Sequence, residues 1–184
     1  MMLAVNFSPF PELETNRLLL RQPMLTDAQD FFILRSNTLV MQYVNRPIAK
    51  TVEDAENLIN KIADIINTNE GINWCITLKD KPKKVMGNIG IWQLKKEDYR
   101  GEIGYMLHPD FWRKGIMQEA VKAVINFGFN QMQLHSLEAK INPSNIASAM
   151  LLEKNNFIKE AHFKEDCFWE GEFSDTVVYS LLKK

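Results

Sequence analysis

Apolar positions along this chain alternate between a strand-like and a helix-like period. The run "RLLLRQ" (17–22) predicts a short strand. In "TDAQDFFILR", Thr26 is followed three residues later by Gln29, which predicts a capping box and a helix. "NTLVMQYVNRP" (37–47) mixes apolar and polar residues up to a proline and predicts an ordered loop. Thr51 then caps a helix whose apolar face is Ala55, Leu58, Ile59, Ile62, Ile65 and Ile66. "WCITL", "VMGNIGIW" and "EIGYML" predict three strands joined by hairpin-like turns. A second strongly amphipathic helix carries Ile116, Ala120, Val121, Val124 and Phe127 on one stripe. "HSLEAKIN" alternates Leu137, Ala139 and Ile141 with Ser136, Glu138 and Lys140, a strand with one polar face. "NPSNIASAMLLEKNNF" reads as turn, helix and stop, with Asn156 at the left-handed exit. "FIKEAHF" and "DTVVYSLL" close the chain as a strand pair around "FWEGEFS". The predicted order is β α α β β β α β α β β. Strand, helix, strand across 102–141 is a crossover, so the sheet is antiparallel early and parallel later. The expectation is one mixed α/β domain over residues 1–184.

Composition narrows the possibilities. The 184 residues are 46% hydrophobic and 24% charged, with net charge −1 and pI about 6.3. That balance argues against a dedicated nucleic-acid binder, and no apolar run reaches membrane-span length. The first residues lack the basic start of a signal peptide. Cys75 and Cys167 lie far apart, fit no metal spacing and suggest a reduced, cytoplasmic setting.

One local feature conflicts with ordinary helix rules. "FWRKGIMQEA" (111–120) opens the second amphipathic helix with Arg113, Lys114 and Gly115 instead of a capping side chain. Two cations beside the positive end of a helix dipole are unfavourable unless an anion sits there. Open backbone amides, a glycine that lets a ligand approach and two cations make an anion site, and a diphosphate would remove the conflict. The alternative is a solvated basic helix start. Neither the Walker nor the dinucleotide glycine spacing is present.

At this point the chain resembles the GNAT superfamily of acetyl-CoA-dependent N-acetyltransferases, and within it the RimJ- and RimL-type ribosomal-protein branch. "ETNRLLLRQPMLTDAQDFF", "EIGYMLHPDFWRKGIMQEA" and "NPSNIASAMLLEKNNF" resemble the family's opening strand and helix, its pyrophosphate motif and its signature helix, in family order. The chain departs at three places. Trp112 and Met117 occupy the ends of the glycine loop, Asn156 stands where Gly is usual, and Leu152 stands where many members carry a general-acid tyrosine. The resemblance implies a twisted mixed sheet of six to seven strands, helices on both faces, and central parallel strands splayed around the cofactor. It implies that the backbone of Met106, Leu107 and His108 pairs with the pantetheine arm. Amides of Arg113, Lys114, Gly115, Ile116, Met117 and Gln118 hold the diphosphate, Asn145 bonds near the thiol end, and Ser148 sits near the sulfur.

Amine acetylation needs a base, a donor to the oxygen that gains charge, and a proton for the thiolate. Alternation places Glu102 on one face with Gly104 and Met106, and it is the candidate base; the alternative is an edge carboxylate. A strand amide near Leu107 is the candidate oxygen donor, and Ser148 the candidate acid or hydrogen-bond donor to sulfur. His108, followed by Pro109, is expected to shape its loop. Tyr43 with Val44, and Phe168 with Trp169, are expected acceptor-site walls; Trp74 and Trp92 are expected in the core. The acceptor is expected to be the α-amine of a ribosomal protein's N-terminus, the acids Glu165, Asp166, Glu170 and Glu172 suiting a basic partner. Two alternatives stand beside it, a polyamine or aminoglycoside acetyltransferase and a CoA-binding sensor without turnover. No metal, membrane or direct nucleic-acid partner is expected, and either a monomer or a homodimer suits the strand edges.

Overall fold

A computed structural model describes residues 2–184. The strands are β1 (Leu13–Glu14), β2 (Leu18–Arg21), β3 (Ile72–Leu78), β4 (Gly87–Lys95), β5 (Arg100–Leu107), β6 (Ser136–Ile141), β7 (Ile158–Trp169) and β8 (Glu172–Leu182). The helices are α1 (Ala28–Ser36), α2 (Thr38–Met41), α3 (Val52–Asn67), α4 (Ile116–Asn130) and α5 (Ile146–Lys154). All eight strands form one sheet in the order β1-β2-β3-β4-β5-β6-β8-β7. Only β5 and β6 are parallel neighbours, which is the expected crossover through α4. The count exceeds six to seven because β1 is a two-residue edge strand, too short to show a period.

The central strands are covered on both sides. Trp74 of β3 is fully buried and packs edge-on against Phe127 of α4, ring centroids 5.2 Å apart. The next residue, Cys75, belongs to a cluster with Phe31 and Leu34 of α1 and Ala55 and Ile59 of α3. Successive side chains of one strand thus feed two cores, which is why β3 is buried on both faces, Asn73 and Thr77 included. The α4 stripe is buried as its period predicts. Leu3 and Phe7 add the N-terminal segment to the larger core.

Two local expectations are corrected. The Thr26–Gln29 box does not form. Asp27 takes that role, accepting from the Met24 N–H at 2.8 Å while Arg21 grips both its oxygens at 2.7 and 2.8 Å. A buried bidentate ion pair outcompetes a hydroxyl cap. The expected loop 37–47 contains α2, because the Asn37 side chain accepts from the amides of Leu39 and Val40 and starts one turn. On the polar face of β6, Ser136 and Glu138 are buried, 2% and 7% exposed, while Lys140 is exposed. Thr51 caps α3 as expected, and Asn156 exits α5 at φ 65°. Among the described residues no helix is long and apolar enough to cross a membrane.

Candidate active site

The sheet opens between β5 and β6. They pair only at Arg100–Ser136, Gly101–Leu137 and Glu102–Glu138, although β5 runs on to Leu107 and β6 to Ile141. The ladder therefore ends where two carboxylates stand side by side. Lys140 Nζ lies 2.9 Å from Glu102 Oε2 and 3.4 Å from Glu138 Oε1. Arg100 donates to Glu138 at 2.8 Å, to Ser136 Oγ at 3.2 Å and to Ser180 Oγ at 2.8 Å. This network is what buries Ser136 and Glu138. Burial alone would raise the Glu138 pKa, but Arg100 and Lys140 hold it below the usual carboxylate range. Burial works to lower the Lys140 pKa, and the two glutamates more than reverse it. Glu102 Oε2 is sealed from solvent, and the Lys140 ammonium 2.9 Å away is the charge that faces it.

Two cavities meet at this opening, of about 580 Å³ and about 880 Å³. Tyr43, Val44, Tyr105, Met106, Asn145 and Ser148 line both and form the wall they share. The smaller cavity lies on the Glu102 face of β5, with Trp92, Lys140, Arg35 and Arg46 also in its lining. Trp92 is corrected here: it is half-buried and walls this cavity instead of the core. Its ring crosses Gly104, where a Cβ would come within 2.4 Å of it, so glycine is needed for that close approach.

The larger cavity is built on the turn from β5 into α4. Arg113 and Gly115 both take positive φ, 58° and 74°, and Gly115 has no capping side chain. The first bond of α4 runs from the Glu119 N–H to the Gly115 carbonyl at 3.1 Å, so the amides of Ile116, Met117 and Gln118 precede the ladder. Left-handed residues around a helix start turn successive amides to one side and make an anion-binding concavity. Arg17 braces the turn, bonding Glu119 at 2.7 Å and the Lys114 carbonyl at 3.0 Å. The His108 N–H pairs with the Met86 carbonyl at 2.8 Å, so strand alternation points the amide and carbonyl of Leu107 into the gap. The Trp112 indole takes that carbonyl at 2.7 Å, leaving the Leu107 N–H as the donor facing the gap.

On the shared wall, Asn145 caps α5 by accepting from the Ser148 N–H at 3.1 Å. Ser148 Oγ lies 2.7 Å from the Tyr105 hydroxyl. Burial pushes the Tyr105 pKa up to about 12, against a smaller lowering by Ser148. Tyr105 is the residue that the sequence reading missed. Its signal was the alternation of "EIGYML", which puts Tyr105 on the opposite face from Glu102, toward the helix that carries Ser148. Leu152 is fully buried in the core.

Of the residues expected to hold the cofactor, Met106, Leu107, Arg113, Gly115, Ile116, Met117, Gln118, Asn145 and Ser148 line the larger cavity. The Gln118 side chain is spent on a reciprocal amide pair with Asn155 that ties α4 to α5, so its contribution is its backbone. His108 and Lys114 are not in that lining. His108 caps the turn at 109–111, its Nδ1 accepting from the Asp110 N–H at 3.3 Å. Lys114 Nζ stands 5.8 Å over the Phe111 ring. Tyr43 lines both cavities, whereas Phe168 and Trp169 line neither; the Phe168 ring packs on Phe173 at 4.8 Å.

A splayed parallel pair beside an open helix start also defines a known family. Residues 17–158 match the acetyltransferase (GNAT) domain. The chain belongs to the GNAT acetyltransferase family. It is 36% identical over 174 residues to the uncharacterized N-acetyltransferase YoaA of Bacillus subtilis (strain 168), covering 95% of this chain and 98% of YoaA. The crystal structure of a GNAT acetyltransferase from Bacillus anthracis superimposes with TM-score 0.83 at 27% identity, covering 94% of this chain and 98% of that one. RimL, a ribosomal alpha-N-protein acetyltransferase solved in complex with coenzyme A, shares the fold with TM-score 0.84 at 16% identity over 94% and 98% of the two chains. The protein is an N-acetyltransferase.

Proposed function

We propose that this GNAT enzyme transfers an acetyl group from acetyl-CoA to the α-amine of a protein N-terminus in a ternary complex. The observation that carries the reading is the shared wall of the two cavities. A donor in the larger and an acceptor in the smaller meet at Tyr105, Asn145 and Ser148. The residues present suit the donor. The open amides of Ile116, Met117 and Gln118, with Arg113, match a diphosphate, and Gly115 keeps the turn free of side-chain bulk. When bound, acetyl-CoA supplies the activated thioester. The Leu107 N–H donates to the acyl oxygen as charge gathers on it. Glu102, reached from the other face of β5, takes the proton that the attacking amine loses as the C–N bond forms. The Ser148 hydroxyl donates to the sulfur as the C–S bond breaks. Tyr105 stays neutral at physiological pH and shares a hydrogen bond with Ser148 Oγ; with the tyrosine as donor, the Ser148 proton is free to turn toward the sulfur. Tyr105 and Ser148 together thus stand in for the tyrosine that Leu152 replaces.

The choice of an α-amine rests on proton chemistry. With a pKa of about 8, roughly a tenth of α-amines are neutral at pH 7, against less than a thousandth of lysines at about 10.4. Likeness in fold to RimL supports the same choice. An acceptor of this kind places the enzyme in the cytoplasm. The test is CoA release from acetyl-CoA with matched peptides whose α-amine is free or blocked, beside spermidine and an aminoglycoside. Turnover should require the free α-amine. Turnover of blocked, lysine-containing peptides or of the small amines alone would replace this reading with a small-amine or side-chain acetyltransferase.

A further inference from the structure

The charged groups of the smaller cavity do not cancel. Its lining holds Arg35, Arg46, Lys140, Glu102 and Asp175. Lys140 is matched to Glu102 at 2.9 Å. Asp175 lies 2.7 Å from His162, an ion pair only when that imidazole is protonated, and also accepts the Glu165 N–H at 2.9 Å, so three cations of the lining face two carboxylates. Arg35 and Arg46 have no carboxylate partner among the described residues. Arg35 donates to the Pro47 carbonyl at 3.3 Å and Arg46 to the Asn45 carbonyl at 3.0 Å, and backbone carbonyls carry no charge to offset them. Arg35 is half-buried on α1, and Arg46 comes from the loop after α2. Burial first, and then the charge of Arg46, press the Arg35 pKa below the usual guanidinium value. A half-buried guanidinium beside a second, exposed one carries a standing cost that an anionic ligand would remove. Guanidinium groups offer paired donors that match the oxygens of a carboxylate or phosphate.

From this we infer that the acceptor carries an anionic group, a carboxylate or phosphate, which Arg35 and Arg46 bind while its amine lies toward Glu102. The inference rests on the acetyl-transfer reading above and adds to it the acceptor's charge. It also reverses the expectation of a basic partner. Glu165, Asp166, Glu170 and Glu172 are absent from the cavity lining, so the charge that meets the acceptor inside the site is positive. A polyamine, with only cations to offer, would be repelled by the same pair.

The test compares acceptors of one amine and different charge. C-terminally amidated peptides Ala-Asp-Asp, Ala-Asn-Asn and Ala-Lys-Lys are assayed for CoA release, with 2-aminoethyl phosphate and ethanolamine as the small-molecule arm. The acidic peptide should have kcat/KM at least tenfold above the neutral one, mostly through KM, and the lysine peptide should be poorest. Preference for 2-aminoethyl phosphate over ethanolamine, without preference among the peptides, would assign the anion to a small acceptor. R46Q, at an exposed loop position, should cut the preference several-fold while leaving acetyl-CoA affinity unchanged, and R35K should keep more of the preference than R35Q. Equal or better use of neutral or cationic amines overturns the inference, as does a charge preference unmoved in both R46Q and R35Q. Absence of turnover with every anionic amine, in protein that binds acetyl-CoA, also overturns it. Failure to bind acetyl-CoA at all would instead remove the acetyl-transfer reading beneath it.

Discussion

The two cavities that meet at Tyr105 are built by opposite means. The larger is made from backbone: a carbonyl and amide of Leu107, left-handed residues at Arg113 and Gly115, and the open amides that begin α4. The smaller is made from side chains sent by distant elements, Arg35 from α1, Arg46 from a loop, Trp92 from β4, Glu102 from β5 and Lys140 from β6. Backbone recognition suits a partner that never changes, since amides read phosphate whatever the neighbouring residues are. Side-chain recognition can be rewritten by single substitutions. On the proposed reading, the constant partner, the donor, belongs to one side and the specific partner, the acceptor, to the other.

Substitutions on either side sharpen this division. The largest effect is expected from Gly115→Asp. A carboxylate beside the diphosphate amides, on a residue at φ 74°, should lower kcat/KM on the order of a thousandfold. Steady-state kinetics at varied acetyl-CoA would check this, and a loss confined to acceptor KM would break the assignment. Glu102→Gln comes next. It keeps the shape and removes the proton acceptor, so kcat should fall on the order of a hundredfold with the acceptor's own pKa left controlling the pH profile. Unchanged kcat would remove Glu102 from the chemistry. Tyr105→Phe should lower kcat about tenfold, because Ser148 keeps its hydroxyl but loses the partner that orients it. In wild type, Tyr105 stays protonated well above pH 10 and lends no ionisation to the rate profile at lower pH. A basic limb near pH 9 that vanished in Tyr105→Phe would contradict this.

The smallest effect concerns the ion-pair network where the β5–β6 ladder ends. Glu138 has a folded pKa held below its unfolded value, so its stabilisation is present above the ordinary carboxylate pKa and is lost as pH falls through the folded one. Glu138→Gln should lower Tm by roughly 2–4 °C at neutral pH, and the gap from wild type should close on acidification. A gap that widened toward acid would give the network the wrong sign.

What could be read in the sequence follows the same division. The proposed donor turn is one contiguous stretch, and the conflict between "WRKG" and the rules for helix starts marks it as a candidate anion site; Arg113 and Gly115 line the larger cavity, whereas Lys114 does not. The strands and the α4 stripe were legible because each buried face imposes a period. The acceptor side was legible only at Tyr43 with Val44 and at Glu102; Arg35, Arg46 and Lys140 share no local pattern and meet there only through the fold. The burial of Ser136 and Glu138 is not announced by anything nearby in sequence, because Arg100 reaches them from the neighbouring strand. Asp27 displaced Thr26 as the cap for the same reason: its partner, Arg21, acts through a buried ion pair that local propensity does not register. Trp92 was assigned to the core on apolarity alone, whereas the bare surface of Gly104 beneath it decides its place.

The central claim is that donor and acceptor are held by different walls that meet at Tyr105 and Ser148. Isothermal titration of acetyl-CoA into wild type, Gly115→Asp and Glu102→Gln tests it most directly. Wild type and Glu102→Gln should bind with the same affinity within about threefold, and Gly115→Asp should show no binding at concentrations that saturate the others. Binding retained in Gly115→Asp, or lost in Glu102→Gln with its fold intact by circular dichroism, would contradict the division.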